Sequence, residues 1–212
     1  MISVVVPVYR NAGTLRELAA RLDAAVGPSA ELVFVDDASP DDSAAILHTL
    51  PRARVVRHDT NRGQNAAVLT GLAHAQGDTI VVLDADLQDP PEAIPALLEM
   101  KRSSGAAIAF ATRTGAYAAR GRTWSSRLYK RILSALTSLP DGAGLFVAID
   151  RDAARRLVAM KSVPSIVAAL GLLRMETVAM PVARAMSTSS AYSGAARLKL
   201  ACRTIAWVLA HR

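Results

Sequence analysis

Mostly apolar runs rich in β-branched residues alternate with segments of helical spacing through the first half of the chain. Strands that are apolar on both sides must be covered on both faces, as in a parallel sheet between two layers of helices. The rhythm therefore predicts an α/β fold with a mostly parallel sheet and helices on both faces. We expect Thr14 to cap the first helix together with Glu17. The predicted strands are residues 2–8, 31–35, 53–57, 79–83 and 106–111, and the predicted helices are residues 14–26, 41–50, 64–75 and 91–103.

The second half of the chain is less regular. No stretch of its composition resembles a linker, and 212 residues are enough for one domain with a substantial core. A single domain over residues 1–212 is therefore expected. The predicted elements here are helices at residues 122–138, 152–160 and 194–210, a helical or buried segment at 165–173, and strands at 144–149 and 178–184, the last at a sheet edge.

Charge divides the chain into two unlike halves. Residues 1–100 hold seven Arg and fourteen Asp or Glu, a net charge of −7, whereas residues 101–212 hold eighteen Lys or Arg and four acids, a net charge of +14. Opposite charges joined in one domain suggest a site where a metal ion and anionic groups meet. A basic face that contacts solvent, nucleic acid or an anionic membrane is the alternative.

The sequence predicts a soluble or peripheral cytoplasmic protein. The longest apolar runs, residues 166–173 and 205–210, fall short of the roughly 20 residues that a spanning helix needs. The N-terminus, interrupted by Pro7 and charge, is typical of a strand and not of a signal peptide. The single cysteine, Cys202, excludes an internal disulfide framework and a multi-cysteine metal site.

Polar side chains gather where the predicted strands end, which is the edge at which open parallel sheets bind ligands. The sharpest pair is Asp84 and Asp86, two carboxylates that follow an apolar strand and can face one cation, with the amide oxygen of Gln88 beside them. Hard oxygen ligands suit Mg²⁺ or Mn²⁺, which can also hold a diphosphate. A loop with two surface acids is the alternative. The other residues at these ends are Pro7, Tyr9 and Asn11; Asp36, Asp37 and Ser39; Asn61, Arg62 and Gly63; and Thr112 and Arg113.

Other enzyme and binding classes are disfavoured. The chain has neither a GxGxxG motif after its first strand nor a GxxxxGK[ST] motif, so a dinucleotide redox enzyme and a P-loop NTPase do not fit. A nucleic-acid-binding module would explain the basic half but not the acidic strand ends, and the basic half lacks interleaved aromatic residues. The four histidines share no ligand spacing and receive no role.

Four segments in collinear order carry a family resemblance: VVVPVYRNAGTL, FVDDASPDDS, NRGQNAAVLTGLAHAQGD and IVVLDADLQDPPEAIP. Together they closely resemble inverting glycosyltransferases of family 2 with the GT-A (Rossmann-like) fold, and among these the dolichyl- and polyprenyl-phosphate sugar transferases. The resemblance is strong over residues 2–115 and weaker to about residue 200. It implies a nucleotide-sugar-binding half at residues 1–115 and an acceptor-side half at residues 116–212.

The resemblance also implies a reaction and a role for each matching residue. A sugar would pass from a GDP- or UDP-sugar to a polyprenyl phosphate, with Mg²⁺ or Mn²⁺ on the donor diphosphate and no nucleic acid involved. The base and ribose would be held by Pro7, Tyr9, Asp36 and Asp37, and the donor would be approached by Gly63 and Ala85. The metal would be bound by Asp84, Asp86 and Gln88. Arg113 would face phosphate, and Asp141 would be the acid on the acceptor side.

Two departures keep the acceptor open. The family pattern has a cation where this chain has Val147 and another where it has Ala191. Two amphipathic stretches, residues 124–139 and 194–212, fit either peripheral contact with the inner face of a membrane or packing against the core. The alternatives are a soluble hydroxyl acceptor, with Asp141 as general base, and a non-catalytic nucleotide-sugar or nucleic-acid binding module.

Overall fold

The computed structural model describes residues 1–114, 132–137, 139–183 and 194–211, without the side chains of residues 113, 114 and 194–198. Seven strands form one sheet in the order β3-β2-β1-β4-β6-β5-β7. All neighbours pair in parallel except β6, which is antiparallel to both β4 and β5. The strands are β1 Ile2–Val8, β2 Glu31–Asp36, β3 Ala53–Arg57, β4 Thr79–Val82, β5 Ile108–Thr114, β6 Val147–Asp150 and β7 Thr177–Ala183.

Helices connect the parallel strands and cover both faces of the sheet. A 3₁₀ turn at Pro91–Ala93 leads into α4, and residues 132–136 are also helical. The α-helices are α1 Leu15–Val26, α2 Ser43–His48, α3 Gln64–His74, α4 Ile94–Ser104, α5 Arg151–Ala159, α6 Ile166–Leu172 and α7 Gly194–Ala210. The predicted α/β class, mostly parallel sheet and two helical layers are confirmed.

Each face of the sheet buries its own apolar cluster. Alternate residues of β1 enter different clusters: Val5 lies in the cluster that α3 and α5 cover, whereas Val4 and Val6 lie in the one that α1 and α4 cover. This alternation follows from the two-residue period of a strand. Helix α3 lies close to the sheet because Gly71 has no side chain; an added Cβ would lie 2.3 Å from Val5 Cγ1.

Two local predictions were wrong. Thr14 precedes α1, but its hydroxyl makes no capping bond to the helix; it donates instead to the carbonyl oxygens of Asn11 and Ala85. The fifth strand was expected to end at residue 111, yet β5 continues to Thr114 because β7 pairs with it along its whole length. Thr112 and Arg113 therefore lie within a strand and not beyond its end.

Candidate active site

Strand ends and the start of α3 enclose a pocket of about 570 Å³. Its acidic members are Asp37, Asp84 and Asp86, and no Lys or Arg contributes to its described wall. We call it the acidic pocket. It brings together seven of the predicted donor and metal residues. The full lining is Pro7, Val8, Tyr9, Asn11, Asp37, Asn61, Gly63, Gln64, Ala67, Asp84, Ala85 and Asp86.

The Asp84–Asp86 segment is held from both sides. The Thr14 hydroxyl donates to the Ala85 carbonyl oxygen at 2.7 Å, which ties the segment to the start of α1. From α3, Gln64 Nε2 donates to Asp84 Oδ1 at 2.6 Å. These bonds fix the backbone between the two carboxylates and leave both acids at the pocket wall.

Gln88 contacts Asp86 and is not part of the pocket wall. Its side-chain nitrogen donates to Asp86 Oδ2 at 2.6 Å, and its backbone N–H donates to Asp86 Oδ1 at 3.1 Å. Gln88 therefore orients the second carboxylate. The role of its amide oxygen as a metal ligand stays a prediction.

Asp37 joins the end of β2 to the loop before α3. Its Oδ1 accepts the backbone N–H of Arg62 at 2.8 Å, and its Oδ2 accepts that of Gly63 at 2.7 Å. Gly63 has φ +87°, a conformation that a residue with a side chain rarely adopts. The carboxylate is nearly fully buried, so these bonds replace its lost hydration and fix one wall of the pocket.

His58, which received no role from the sequence, supports Asp37 from below the pocket. Its Nδ1 lies 2.7 Å from Asp37 Oδ1, and its Nε2 lies 2.9 Å from the hydroxyl of Thr70 on α3. The imidazole is buried. The only sequence signal was its position directly after the third strand, because the partners Asp37 and Thr70 are distant in the chain.

Asp36 does not reach the pocket wall. It is fully buried, with Oδ1 accepting the backbone N–H of Ser39 at 3.0 Å and Oδ2 lying 3.2 Å from Arg57 Nε. Of these two adjacent aspartates, only Asp37 lines the pocket. A contact between Asp36 and a nucleotide stays a prediction.

The opposite wall is a loop fixed by backbone and side-chain bonds. Arg10 has φ +59°, and its N–H donates to Ser39 Oγ. Asp41 Oδ2 accepts the N–H of Ala12 at 3.2 Å. Partial burial raises the pKa of Asp41, but the hydrogen bonds from Ser43 and Ala12 outweigh it and the pKa lies below the usual value. The loop carries Tyr9, a residue that is 42% exposed, and the guanidinium carbon of Arg10 lies 5.4 Å from the centre of its ring.

The donor atoms of the pocket fit a hard divalent cation that is only partly coordinated by protein. Asp84 and Asp86 offer carboxylate oxygens, the ligands that Mg²⁺ and Mn²⁺ prefer. Among the described residues no group of three or more His, Cys, Asp or Glu is placed to hold a metal ion. A bound ligand with its own oxygens, such as a diphosphate, would complete the coordination.

Asp141 lines a separate, smaller pocket of about 180 Å³ and is exposed. Arg113 lies in β5 opposite Val182, and its side chain is outside the described residues. Val147 is fully buried in β6, so position 147 faces the core in this chain. Ala191 lies outside the described residues, as does most of the predicted helix 122–138.

The predicted helix at residues 194–210 is confirmed as α7. Within the described part of the chain, no helix combines the length and the apolar content that crossing a membrane requires.

The chain is similar to proteins of known family. The glycosyl transferase family 2 model matches residues 3–164. The chain is 37% identical over 144 residues to an undecaprenyl-phosphate 4-deoxy-4-formamido-L-arabinose transferase of Klebsiella pneumoniae, covering 64% of this chain and 44% of that protein. It is 38% identical over 137 residues to a dolichol-phosphate mannosyltransferase of Pyrococcus furiosus, covering 63% and 38%. The chain thus spans less than half the length of these curated relatives.

A solved structure has the same fold. It is the mannosyltransferase PcManGT from Pyrobaculum calidifontis in complex with GDP-Man and Mn²⁺, with a TM-score of 0.69 and 20% identity, covering 99% of this chain and 64% of that one. The family model spans well over half of the chain and includes every residue of the acidic pocket. The chain therefore belongs to glycosyl transferase family 2.

Proposed function

We propose that the protein transfers a sugar from a nucleotide diphosphate donor to a polyprenyl phosphate, with a divalent cation bound in the acidic pocket. The observation that carries this proposal is the pair Asp84 and Asp86 at the wall of a cleft large enough for a nucleotide sugar. A nucleotide diphosphate is an anion, and three carboxylates would repel it without a cation between them.

The donor end of the pocket supplies positioning groups. Asp37 fixes the loop at Arg62 and Gly63. Tyr9, which is exposed at the pocket wall, offers an aromatic ring for a base to stack on. Gln64 and Gln88 keep the two metal-binding carboxylates in place. A divalent ion held by Asp84 and Asp86 would stabilise the negative charge that grows on the departing diphosphate.

The charge of the attacking group decides whether the acceptor needs a general base. A phosphate oxygen is already ionised, attacks the anomeric carbon on the face opposite the diphosphate and inverts its configuration, and needs no general base. Both relatives are named for transfer to a polyprenyl phosphate, undecaprenyl phosphate in one and dolichol phosphate in the other, which supports this acceptor class. Action at the cytoplasmic face of a membrane belongs to the same proposal.

A hydroxyl acceptor is the second candidate, and the exposed Asp141 favours it. A hydroxyl must lose its proton during attack, and a carboxylate is a suitable base. The two candidates differ at one residue: Asp141→Asn should abolish transfer to a hydroxyl, and should leave transfer to a phosphate largely intact.

The first test is a thermal-shift screen of GDP- and UDP-sugars with and without Mn²⁺. A ligand that binds only the folded state raises the melting temperature as its concentration exceeds Kd. We expect one nucleotide sugar to raise it only when Mn²⁺ is present. That donor is then incubated with farnesyl phosphate, and the product is analysed for an inverted anomeric centre. No shift with any donor, or an equal shift without metal, would contradict the proposal.

A further inference from the structure

A second large pocket opens beside the acidic one and has the opposite charge. Its volume is about 590 Å³, and Gly63 and Gln64 line both pockets. Arg62, Lys161 and Arg203 line it from three separate segments, and no Asp or Glu belongs to its described wall. We call it the basic pocket.

Its three cations are available to a ligand. All three are exposed, and none forms an ion pair with any carboxylate of the described residues. Three like charges around one cavity repel each other, so an anion bound between them would relieve that repulsion as well as gain charge-assisted hydrogen bonds.

The pocket also has an apolar side. Leu200 is 40% exposed on α7, and Arg203 and Thr204 follow it three and four residues later on the same face of that helix. A water-soluble anion does not need such a surface, whereas an anion that carries a hydrocarbon chain does. The apolar lining residues are Leu69, Leu145, Val163, Ile166, Val167 and Leu200.

Hydrogen bonds tie two walls of the basic pocket to each other. Asn65 Nδ2 donates to the carbonyl oxygen of Pro164 at 2.9 Å, and Asn65 Oδ1 accepts the N–H of Ile166 at 3.2 Å. The first turn of α3, which follows Arg62, is thereby tied to the segment that follows Lys161. The cavity is a built feature of the fold.

The basic pocket adjoins both the acidic pocket and the small pocket that Asp141 lines. It shares Gly63 and Gln64 with the acidic pocket, and it shares Ser165 and Val167 with the small pocket that Asp141 lines. A ligand in the basic pocket therefore lies between the donor site and the acid that was predicted on the acceptor side.

We propose that the basic pocket binds the acceptor as a phosphate monoester with an apolar chain, the phosphate between Arg62, Lys161 and Arg203 and the chain along Leu200 and its apolar neighbours. This inference rests on the proposed function for the identity of the ligand as acceptor. The site itself is defined by the lining, charge and contacts of this chain.

The test is calorimetric titration of the full chain with farnesyl phosphate, farnesol and inorganic phosphate, without donor or metal. Wild type should bind farnesyl phosphate more tightly than either fragment. Lys161→Gln with Arg203→Gln should weaken that binding by about tenfold or more, because charge-assisted bonds are lost. The matched control is Arg155→Gln with Lys199→Gln, which removes the same charge at exposed positions outside the pocket and should bind within about twofold of wild type.

Four results would overturn the inference: no binding of farnesyl phosphate to wild type, equal binding of inorganic phosphate, equal binding of farnesol, or equal losses in the double variant and its control. Titration of the same variants with nucleotide sugar and Mn²⁺ separates this failure from that of the proposed function. If donor binding is intact and the substitutions at Lys161 and Arg203 leave acceptor binding unchanged, only the role of the basic pocket is rejected. Absent donor binding in wild type rejects the transferase, whatever farnesyl phosphate does.

Discussion

The acidic and basic pockets are nearly equal in volume and share two residues, yet they differ in every charged side chain of their described walls. The acidic pocket is built only from residues 7–86, within the half of the chain that carries net charge −7. The basic pocket takes Lys161 and Arg203 from the half that carries +14. An anionic ligand would therefore need a cation to enter the acidic pocket, whereas one that enters the basic pocket would not.

We expect the largest effect from removing one of the two carboxylates that are proposed to bind the metal. Asp86→Asn keeps the shape of the side chain but halves the charge of the pair, so we expect turnover to fall about a thousandfold, as for loss of a major electrostatic contact in a transition state. Farnesyl phosphate binding should not change. The control is Asp59→Asn, an exposed acid outside the pocket. Turnover within threefold of wild type would refute a role for Asp86.

The support beneath the acidic pocket should matter next. His58→Phe removes the contact to Asp37 and leaves that buried carboxylate with fewer partners, which should cost about 2–3 kcal/mol of unfolding free energy and weaken donor binding several-fold. His58→Asn, which can still donate to Asp37, should recover part of both losses. Urea unfolding and donor titration measure them. Equal losses in the Phe and Asn variants would contradict a stabilising hydrogen bond from position 58 to Asp37.

A shift of helix α3 should affect both pockets together, because Gly63 and Gln64 at its start line both of them. Gly71→Ala would place a Cβ 2.3 Å from Val5 Cγ1, so α3 must shift away from β1. We expect a loss of about 1–2 kcal/mol of unfolding free energy, with donor and farnesyl phosphate both bound more weakly. Gly13→Ala is the control, because its Cβ would meet nothing within 4 Å. A loss of affinity in one pocket alone would contradict a joint dependence of the two pockets on the position of α3.

The smallest effect is expected at the start of α1. Thr14→Val removes the hydroxyl that donates to Ala85, at a cost of about 1 kcal/mol in unfolding free energy and a modest rise in KM for the donor. Thr14→Ser should restore both. The Kd for farnesyl phosphate serves as the internal reference. If this Kd changes as much as the KM for the donor, an effect of Thr14 that is specific to the acidic pocket would be contradicted.

Much of the fold was predictable because its signals are local. The apolar runs predicted the extents of β1 and α7 to the residue, and the order of apolar strands predicted the α/β class. Boundaries set by partners far along the chain were missed: β5 is extended by pairing with β7, and the Thr14 hydroxyl turns to Ala85, 71 residues away. No local pattern contains either partner.

Part of the acidic pocket was also predictable from the sequence. Parallel strands bring their carboxyl ends to one edge, so Tyr9, Asp37 and Asp84 could be grouped from sequence alone. The support from His58 could not, since a lone histidine signals nothing until Thr70 and Asp37 flank it. The basic pocket was visible only as an excess of positive charge, because its cations come from three distant segments.

A cation held by Asp84 and Asp86 is tested most sharply by titration of the screened nucleotide sugar into wild type and into Asp84→Asn with Asp86→Asn, each with and without Mn²⁺. We expect binding to wild type only with Mn²⁺, and no Mn²⁺-dependent binding to the double variant. Equal affinity of wild type in the two buffers, or metal-dependent binding that survives in the double variant, would contradict a cation held by these carboxylates.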